Sequence, residues 1–501
     1  MTRRKRVGAV ALTTLRTDLG NAERFVARHG RDLRYVAEWK RWLVWDGKRW
    51  ATDESLEVQR RAQETIRSMW AAVADLPARD QEDWAKHILR SETAGRLAAL
   101  LECARANESM VVRPEQLDAD PWLITCENGV LDLRTGQLGP HDRALLMTKL
   151  VPASFDPEAR CDRWERFLHR IMNGNAALID FLRRAVGYSL TGQPSERWLF
   201  FLYGMGANGK STFLEVLRAL LAGYAQQADF TSFLETPRGD GPRNDIARLF
   251  GARVVTSSEV GEGKRLNESL VKTLTGTDTV TARFLHAEFF EFKPQFKLWL
   301  AANHRPVVRG TDPAIWDRVR LVPFTVSIPP TERDPGLLAE LLRELPGILA
   351  WAVAGCLEWL EKGLGTPPEV EAATEQYRRD SDTLGTFLEE CCDVAPGNAE
   401  FAVPATSLYN AYRRWAEQGG EYQLSQTAFG RRLEERGITA EKRGVGAARL
   451  KWRIGVRLLD IPATPSFFGG RLGDSATGNG ASRDVPTRDG NPTMDVEHAL
   501  L

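Results

Sequence analysis

The sequence of 501 residues has few cysteines and histidines, and neither type is arranged as a set of metal ligands. The six cysteines show no C-x-x-C spacing, and the seven histidines form no cluster along the chain. This pattern argues against a disulfide framework and against a zinc site, and it favours a reducing compartment.

Long hydrophobic runs and an export signal are also missing. The longest apolar stretch, 345–357, is shorter than the about 20 residues that a helix needs to cross a bilayer. The basic residues 3–6 are followed by an apolar run that is too short for a signal peptide. We therefore expect a cytoplasmic protein with no membrane partner.

The chain has no excess of charge of either sign, since Lys plus Arg and Asp plus Glu both total 67. The neutral sum results from regions of opposite net charge. Residues 331–400 contain five basic and fifteen acidic side chains, whereas residues 401–459 contain eleven basic and five acidic ones. Because binding to nucleic acid depends on where charge sits, the neutral sum does not exclude DNA binding.

One segment has the composition and spacing of a phosphate-binding loop. It reads WLFFLYGMGANGKSTFLEVLRALL at 198–221 and matches the P-loop pattern between a buried-type strand and an amphipathic helix. Glycines in such a loop let backbone N–H groups face the phosphates of a nucleotide. We expect ATP with Mg²⁺ here, with Lys210 on the β- and γ-phosphates and Ser211 on the metal ion. The predicted binding residues are Gly204, Met205, Gly206, Ala207, Asn208, Gly209, Lys210, Ser211 and Thr212.

Two later strands end in polar residues that suit nucleotide hydrolysis. The strand 253–258 precedes Glu259, which we expect to serve as a catalytic acid and as a Mg²⁺ ligand, with Glu262 as a second candidate. Ser258 stands where a second acid is usual. The strand 296–302 precedes Asn303, whose amide is expected to orient the attacking water. An ordinary solvated turn residue is the alternative for both positions.

An arginine follows at 318, within WDRVRLVPF at 316–324. Arg318 follows Asn303 at the distance expected of an arginine finger, which stabilises charge on the transferring phosphoryl group and often comes from a neighbouring subunit. Arg320 is the alternative for this role.

The order of phosphate loop, acid strand, hairpin, Asn strand and arginine resembles the superfamily 3 helicases, and within them the phage/plasmid primase-helicase family that includes the poxvirus primase-helicases. Blocks such as WLVWDGKRW and DPWLITCENGVLDLRTGQL extend the resemblance over about residues 18–330. It implies an AAA+-like core, homo-hexameric rings and ATP-driven 3′-to-5′ translocation on single-stranded DNA. Only about 17 residues precede these blocks, so we expect no N-terminal primase-polymerase domain.

The resemblance also implies a DNA-reading hairpin between the acid strand and the Asn strand. Its strands are expected at 279–285 and 289–300. His286 at the tip is the candidate DNA contact, supported by Arg283 and Lys293, because such groups can grip phosphates without reading bases. An exposed turn histidine is the alternative.

The basic C-terminal segment shows the order helix, helix, hairpin, which resembles a winged helix. Ser425 is expected to cap the second helix. Phosphate contacts are expected from two groups of basic residues, Arg431, Arg432 and Arg436 on the helix and Lys442, Arg443, Arg449, Lys451 and Arg453 on the hairpin. A solvated basic face or a protein-docking module is the alternative.

These features predict an α/β protein with an AAA+-like P-loop core, a mainly helical N-terminal domain and a C-terminal winged-helix domain. Turn pairs at Asp46-Gly47 and Asn128-Gly129 predict two small hairpins, and apolar spacing predicts helices over 54–106 and 161–188. The expected segments are a basic tail (1–17), the N-terminal domain (18–160), the ATPase core (161–330), an acidic helical lid and connector (331–400), the winged-helix-like domain (401–460) and a disordered tail (461–501).

The predicted function is an ATP-dependent DNA helicase in phage or plasmid-type replication. It would act as a hexamer on single-stranded and forked DNA, with a separate primase or replication initiator as a further partner. ATP would lie between subunits. One alternative is a P-loop ATPase that remodels or senses nucleic acid without processive unwinding, such as a defence component. Another is an origin-binding module with a vestigial ATPase.

Overall fold

A computed structural model describes residues 15–235, 244–258, 264–284, 288–308, 313–421, 423–443 and 450–459. Glu259, Glu262, His286, Arg449 and the predicted disordered tail 461–501 lie outside these described residues, as does most of the predicted basic tail. Within the described part of the chain, no helix is long and apolar enough to cross a membrane.

The N-terminal region packs four helices around a small sheet. Its elements are α1 Asp18–His29, β1 Leu33–Val36, β2 Arg41–Trp45, β3 Trp50–Thr52, α2 Glu57–Val73, α3 Ala78–Ser91, α4 Ala94–Ala104 and β4 Val111–Val112. The sheet has the order β3-β2-β1-β4. The predicted hairpin is confirmed, because Trp45 pairs with Trp50 and Asp46 accepts hydrogen bonds from the N–H groups of Lys48 and Arg49 across a turn with φ 105° at Gly47.

A three-stranded meander and two helices come next. They are β5 Leu123–Cys126, β6 Gly129–Asp132, β7 Gln137–Gly139, α5 Asp162–Ile171 and α6 Ala176–Leu190. The second predicted hairpin corresponds to β5 and β6, in which Cys126 pairs with Gly129. The predicted helical segment 161–188 is confirmed as α5 and α6.

The central sheet is parallel and has the order β14-β8-β13-β10-β9. Its segment of the chain contains β8 Leu199–Tyr203, α7 Lys210–Leu221, β9 Ala225–Gln227, α8 Asn244–Ala247, β10 Val254–Ser258, α9 Glu268–Leu274, β11 Val280–Ala282, β12 Phe290–Phe292, β13 Lys297–Ala302, α10 Pro313–Trp316 and β14 Val319–Pro323. The continuous apolar runs of β8 and β13 are buried, as expected for strands covered on both faces.

The predicted hairpin strand 289–300 is wrong in its extent. Its residues form two separate strands: β12 pairs antiparallel with β11, whereas β13 belongs to the central sheet. Pro294 lies between them, and proline has no N–H to continue a ladder. The buried Lys297 then starts β13, where its Nζ donates a hydrogen bond to Thr191 Oγ1 at 3.2 Å.

The C-terminal third is helical and then mixed. Its elements are α11 Leu337–Arg343, α12 Leu345–Lys362, α13 Pro368–Asp380, α14 Thr383–Cys391, β15 Cys392–Val394, β16 Ala402–Pro404, α15 Ala405–Gln418, α16 Gln426–Glu435, β17 Thr439–Arg443, β18 Leu450–Ile454 and β19 Val456–Leu458. The predicted order of two helices and a hairpin is found in α15, α16 and the β17–β18 pair. The predicted cap is confirmed, because Ser425 Oγ accepts from the Ala428 N–H at 3.3 Å.

One hydrophobic core joins several of the expected segments. Leu131 of the meander, Leu182 of α6, Phe213 of α7 and Leu349 of α12 are all buried in it. The boundaries expected at 160/161 and 330/331 run through this core. Helix α12 therefore anchors the acidic segment on the central sheet. Its backbone approaches α6 closely, since a Cβ at Gly187 of α6 would lie 2.1 Å from the backbone N of Cys356 in α12.

Candidate nucleotide-binding site

The glycine-rich loop at residues 204–209 connects β8 to α7 at the carboxyl edge of the central sheet. Two of its glycines are required by their surroundings. A Cβ at Gly204 would lie 2.1 Å from the carbonyl oxygen of Phe324, and Gly209 has a φ of 89° with Ile171 Cγ2 only 2.6 Å from the position of a Cβ. The local sequence therefore permits a tight turn that side chains would block.

The backbone N–H groups of this loop are available to an anion. Among the described residues, no oxygen accepts a hydrogen bond from the N–H groups of Met205 through Gly209. A Cβ at Gly206 would meet nothing within 4 Å, so the loop is open at this point. Since α7 begins at Lys210, its unpaired first-turn N–H groups and its dipole favour negative charge here. These donors fit the phosphates of a nucleotide.

Lys210 is the cation of the site. Its Nζ donates hydrogen bonds to Gly204 O at 2.6 Å, Asn208 Oδ1 at 3.0 Å and Asn303 Oδ1 at 3.2 Å. All three partners are neutral oxygens, and no carboxylate of the described residues forms an ion pair with this lysine. Burial lowers the pKa of Lys210 to about 8, since desolvation disfavours the ammonium form. An anion beside Nζ would supply the missing charge.

Asn208 braces the loop, a role that its position in the motif did not reveal. The side chain is buried, and its Nδ2 donates hydrogen bonds to Met205 O at 2.5 Å and to Phe324 O at 3.2 Å. Its Oδ1 accepts from Lys210. One amide therefore ties the loop to its own lysine and to the residue that follows β14.

Asn303 reaches the loop because β13 lies next to β8 and runs parallel to it. Ala302 pairs with Tyr203, so both chains leave the sheet at the same level, and Asn303 lies beside Lys210. Both residues were predicted from the sequence, and they lie together in the structure. β10 lies on the other side of β13, with Ser258 in register with Ala301, so the chain leading to Glu259 leaves the same edge.

Ser211 is exposed in the first turn of α7, so its hydroxyl is accessible to a Mg²⁺ ion bound with the nucleotide. Thr212 follows it and is partly exposed. Of the two predicted Mg²⁺ ligands, Ser211 lies within the described residues and Glu259 does not.

Arg318 lies at the amino edge of the central sheet, opposite to the carboxyl edge that carries the phosphate loop. Val319 pairs with Leu199, the first residue of β8, whereas the phosphate loop follows the last residue of that strand. At about 3.3 Å per residue, the four steps along β8 separate the arginine from the loop by roughly 13 Å. Arg318 donates to Ala314 O at 2.5 Å, and its buried Nε has no acceptor among the described residues. Arg318 is therefore distant from the phosphate loop of its own chain.

Arg320, the alternative finger, is engaged within its own chain. Its guanidinium lies 4.0 Å from the centroid of the Trp198 ring and donates to the carbonyls of Asp317 and Val319. Both arginines are half-buried and donate to carbonyl groups of their own chain, but Arg320 in addition packs on a tryptophan ring.

The candidate DNA contacts differ in their exposure. Arg283 and Lys293 beside the β11–β12 hairpin are exposed, and so are Arg431 of α16 and Lys451 of β18. Arg432 is partly exposed. Two predicted phosphate contacts of the C-terminal segment are wrong. Arg453 is buried and donates to Glu434 at 2.8 Å, because β18 turns this side chain inward, and Arg436 pairs with Asp382 at 2.5 Å.

Three family models match the chain. A model described as "D5 N terminal like" matches residues 22–173, a family of unknown function matches residues 202–318, and a "Poxvirus D5 protein-like" model matches residues 379–440.

Curated relatives come from large DNA viruses. "Putative helicase L207/L206" of Acanthamoeba polyphaga mimivirus is 26% identical over 60% of this chain and 33% of its own length. "Putative helicase 022R" of Frog virus 3 is 29% identical over 47% of this chain and 26% of its own length. "Putative primase C962R" of African swine fever virus is 27% identical over 60% of this chain and 34% of its own length. The matched region thus spans about a third or less of these relatives.

Among solved structures, the A-form apo structure of the NrS-1 C terminal region matches with a TM-score of 0.47 and 10% identity. The match covers 84% of this chain and 95% of that one.

Proposed function

Since the chain belongs to the poxvirus D5-like primase-helicase family, we propose that it is an ATP-dependent DNA helicase of superfamily 3, acting in phage or plasmid-type replication. Relatives that are named helicase or primase support, at the level of the family, a replicative, helicase-like enzyme that acts on nucleic acid.

The observation that carries the ATPase part of the proposal is the contact between Lys210 and Asn303. A buried ammonium at the first residue of α7 and an amide at the end of the adjacent strand lie 3.2 Å apart, beside a loop whose N–H groups are open. This is the arrangement expected of a P-loop NTPase of the AAA+ type. A glycine-rich turn without this function would have no need for a buried cation that lacks a counter-charge.

In the proposed reaction, the loop N–H groups and Lys210 hold the β- and γ-phosphates of ATP. The Asn303 amide is close enough to Lys210 to position a water at the γ-phosphate, and Glu259 acts as the base for that water. Bound Mg²⁺ would neutralise charge on the phosphate oxygens, and Ser211 and Glu259 are the residues proposed to hold it.

The finger is proposed to act between subunits. Because Arg318 lies across the sheet from its own phosphate loop, it would reach ATP held by the neighbouring copy, and a closed ring such as a homo-hexamer would supply every site with such a neighbour. Hydrolysis in turn around the ring would move the β11–β12 hairpin along single-stranded DNA. His286 with Arg283 and Lys293 is proposed to contact the phosphates.

The remaining modules are proposed to have supporting roles. Residues 401–460 would form a winged helix that contacts DNA or a partner through Arg431, Arg432 and Lys451. A separate primase or replication initiator is the proposed partner of the ring in the cytoplasm, at a replication fork.

The proposal is tested first by ATP hydrolysis with and without single-stranded DNA. Wild type should hydrolyse ATP faster when DNA is present. Lys210→Ala should lose at least about 100-fold in rate because the phosphate cation is removed. Lys86→Ala, at an exposed ion pair with Glu82, is the matched control and should behave as wild type. Absence of ATP hydrolysis by wild type with and without DNA would overturn the proposal.

A further inference from the structure

Exposed phenylalanine is confined to one place in the described part of the chain. Phe250, Phe284 and Phe289 expose 38, 42 and 54% of their surface, and every other described phenylalanine is less exposed. All three lie at or beside the β11–β12 hairpin. Such clustering of large apolar rings in solvent is unfavourable unless a ligand covers them.

The hairpin is anchored on the core of the protein and supports the ring of Phe284. Val280, Ala282 and Phe292 are buried in the core beneath the central sheet and anchor both strands. On this anchored face the Phe284 ring stacks on the ring of Phe290, with centroids 5.5 Å apart and planes at 15°. Phe250 meets Phe290 edge-on at 5.7 Å and 78°. The ring of Phe284 is therefore held on the anchored face, whereas Phe289, one residue before Phe290, lies on the opposite face of the hairpin.

Charged side chains accompany the rings. The Arg283 guanidinium lies 5.0 Å from the centroid of the Phe289 ring, and Arg248 and Lys293 are also exposed. Two acids are present as well. Glu288 precedes Phe289 in the chain. Glu291 pairs with Thr281 across the hairpin, and the side chains of both residues point away from the anchored face. Rings interleaved with cations are the combination that binds single-stranded nucleic acid, since bases stack on rings while cations attract phosphates.

We propose that the two faces of this hairpin stack bases of single-stranded nucleic acid, one through Phe284 with Phe250 nearby and the other through Phe289, beside which Arg283 neutralises the adjoining phosphate. The inference rests on the proposed function for its choice of ligand. It adds a contact with the bases to the phosphate contacts proposed for the hairpin. Because every base has a π-face, the site tolerates any sequence, as a translocating enzyme requires.

The test compares two single-stranded ligands of equal length and charge, an oligothymidylate and an abasic oligomer with the same phosphates but no bases. Binding to the full-length protein is measured at equilibrium without ATP by fluorescence anisotropy. The double variant Phe284→Ala/Phe289→Ala should bind oligothymidylate at least about tenfold more weakly, and the abasic oligomer as wild type does. Phe289→Trp should keep binding to oligothymidylate, and Trp70→Ala, which removes an exposed ring on α2, should change neither affinity.

Two results would overturn the proposal. Equal losses for both ligands would mean that the rings only support the hairpin, and unchanged binding to oligothymidylate would mean that they face something else. If subunit assembly, measured by mass in the same samples, weakened while DNA binding did not, the rings would belong to a contact between copies. Because none of these measurements uses ATP, a failure of the ATPase proposal would leave this test unaffected.

Discussion

Lys210 Nζ lies 3.2 Å from Asn303 Oδ1, although the two residues are 93 positions apart in the sequence. The contact forms because β8 and β13 are parallel neighbours whose carboxyl ends meet at one edge. It joins the cation of the phosphate loop to the predicted water-positioning amide. The catalytic part of the proposal depends on this geometry.

Replacing Asn303 separates its role from nucleotide binding. Asn303→Ala should lower kcat for ATP hydrolysis by about 10- to 100-fold, because the water is no longer oriented, while the Kd for ATP changes by less than about threefold. His304→Ala, at the neighbouring exposed position, is the control. A higher Kd with unchanged kcat would show that Asn303 contributes only to binding. The measurements are steady-state hydrolysis and equilibrium binding of ATP.

The brace formed by Asn208 should affect both stability and binding. Asn208→Ala leaves the carbonyls of Met205 and Phe324 without their donor and releases Lys210, so we expect a loss of about 1–3 kcal/mol in unfolding free energy and weaker ATP binding. Denaturant unfolding with and without ATP measures both. Asn398→Ala, at an exposed turn, should change neither the unfolding free energy nor the affinity for ATP. Stability and affinity equal to wild type would contradict the brace.

ATP binding should depend on pH through Lys210. In the free protein, burial lowers the pKa of this lysine to about 8, and bound phosphates favour the ammonium and raise the pKa again. Binding then takes up a proton above pH 8, so the affinity should be constant below about 8 and fall by up to about tenfold per unit above it. Calorimetry between pH 7.5 and 9.5 should show that the affinity for ATP falls roughly tenfold for each pH unit above about 8.

Lys210→Arg is the control for this pH dependence, because a guanidinium keeps its charge over the whole range. Its affinity should be lower but independent of pH. An affinity of wild type that stays flat to pH 9.5 would contradict the titration of Lys210.

Mixing two inactive variants tests whether Arg318 acts between subunits. Arg318→Ala and Lys210→Ala should each hydrolyse ATP at least about 100-fold more slowly than wild type. An equimolar mixture should regain roughly a quarter of the wild-type rate, because some neighbouring pairs then combine an intact Lys210 with an intact Arg318. Arg320→Ala alone should retain most activity. No recovery on mixing would place the finger elsewhere.

The local features of the site were predictable from the sequence, because they depend on short-range chemistry. The strand, glycine-rich loop and helix around Lys210 follow from apolar runs and turn residues, and Asn303 follows from its place after a buried strand. The two small hairpins were predictable for the same reason, since their turn residues allow few other conformations.

The features that the sequence did not reveal depend on distant contacts. The Asn208–Phe324 hydrogen bond joins residues 116 positions apart. The inward turn of Arg453 depends on Glu434 across the C-terminal core, and a count of basic residues cannot distinguish a buried arginine from an exposed one. The exposure of Phe289 does not follow from its place in a predicted strand, because apolar residues in a strand pattern are ordinarily buried.

Strand separation on a forked DNA duplex tests the central claim most directly. Wild type should unwind the fork with ATP but not with a non-hydrolysable analogue, and Lys210→Ala should not unwind it although the Lys86→Ala control does. Hydrolysis of ATP by wild type without any strand separation would contradict the helicase assignment and favour an ATPase that remodels or senses nucleic acid.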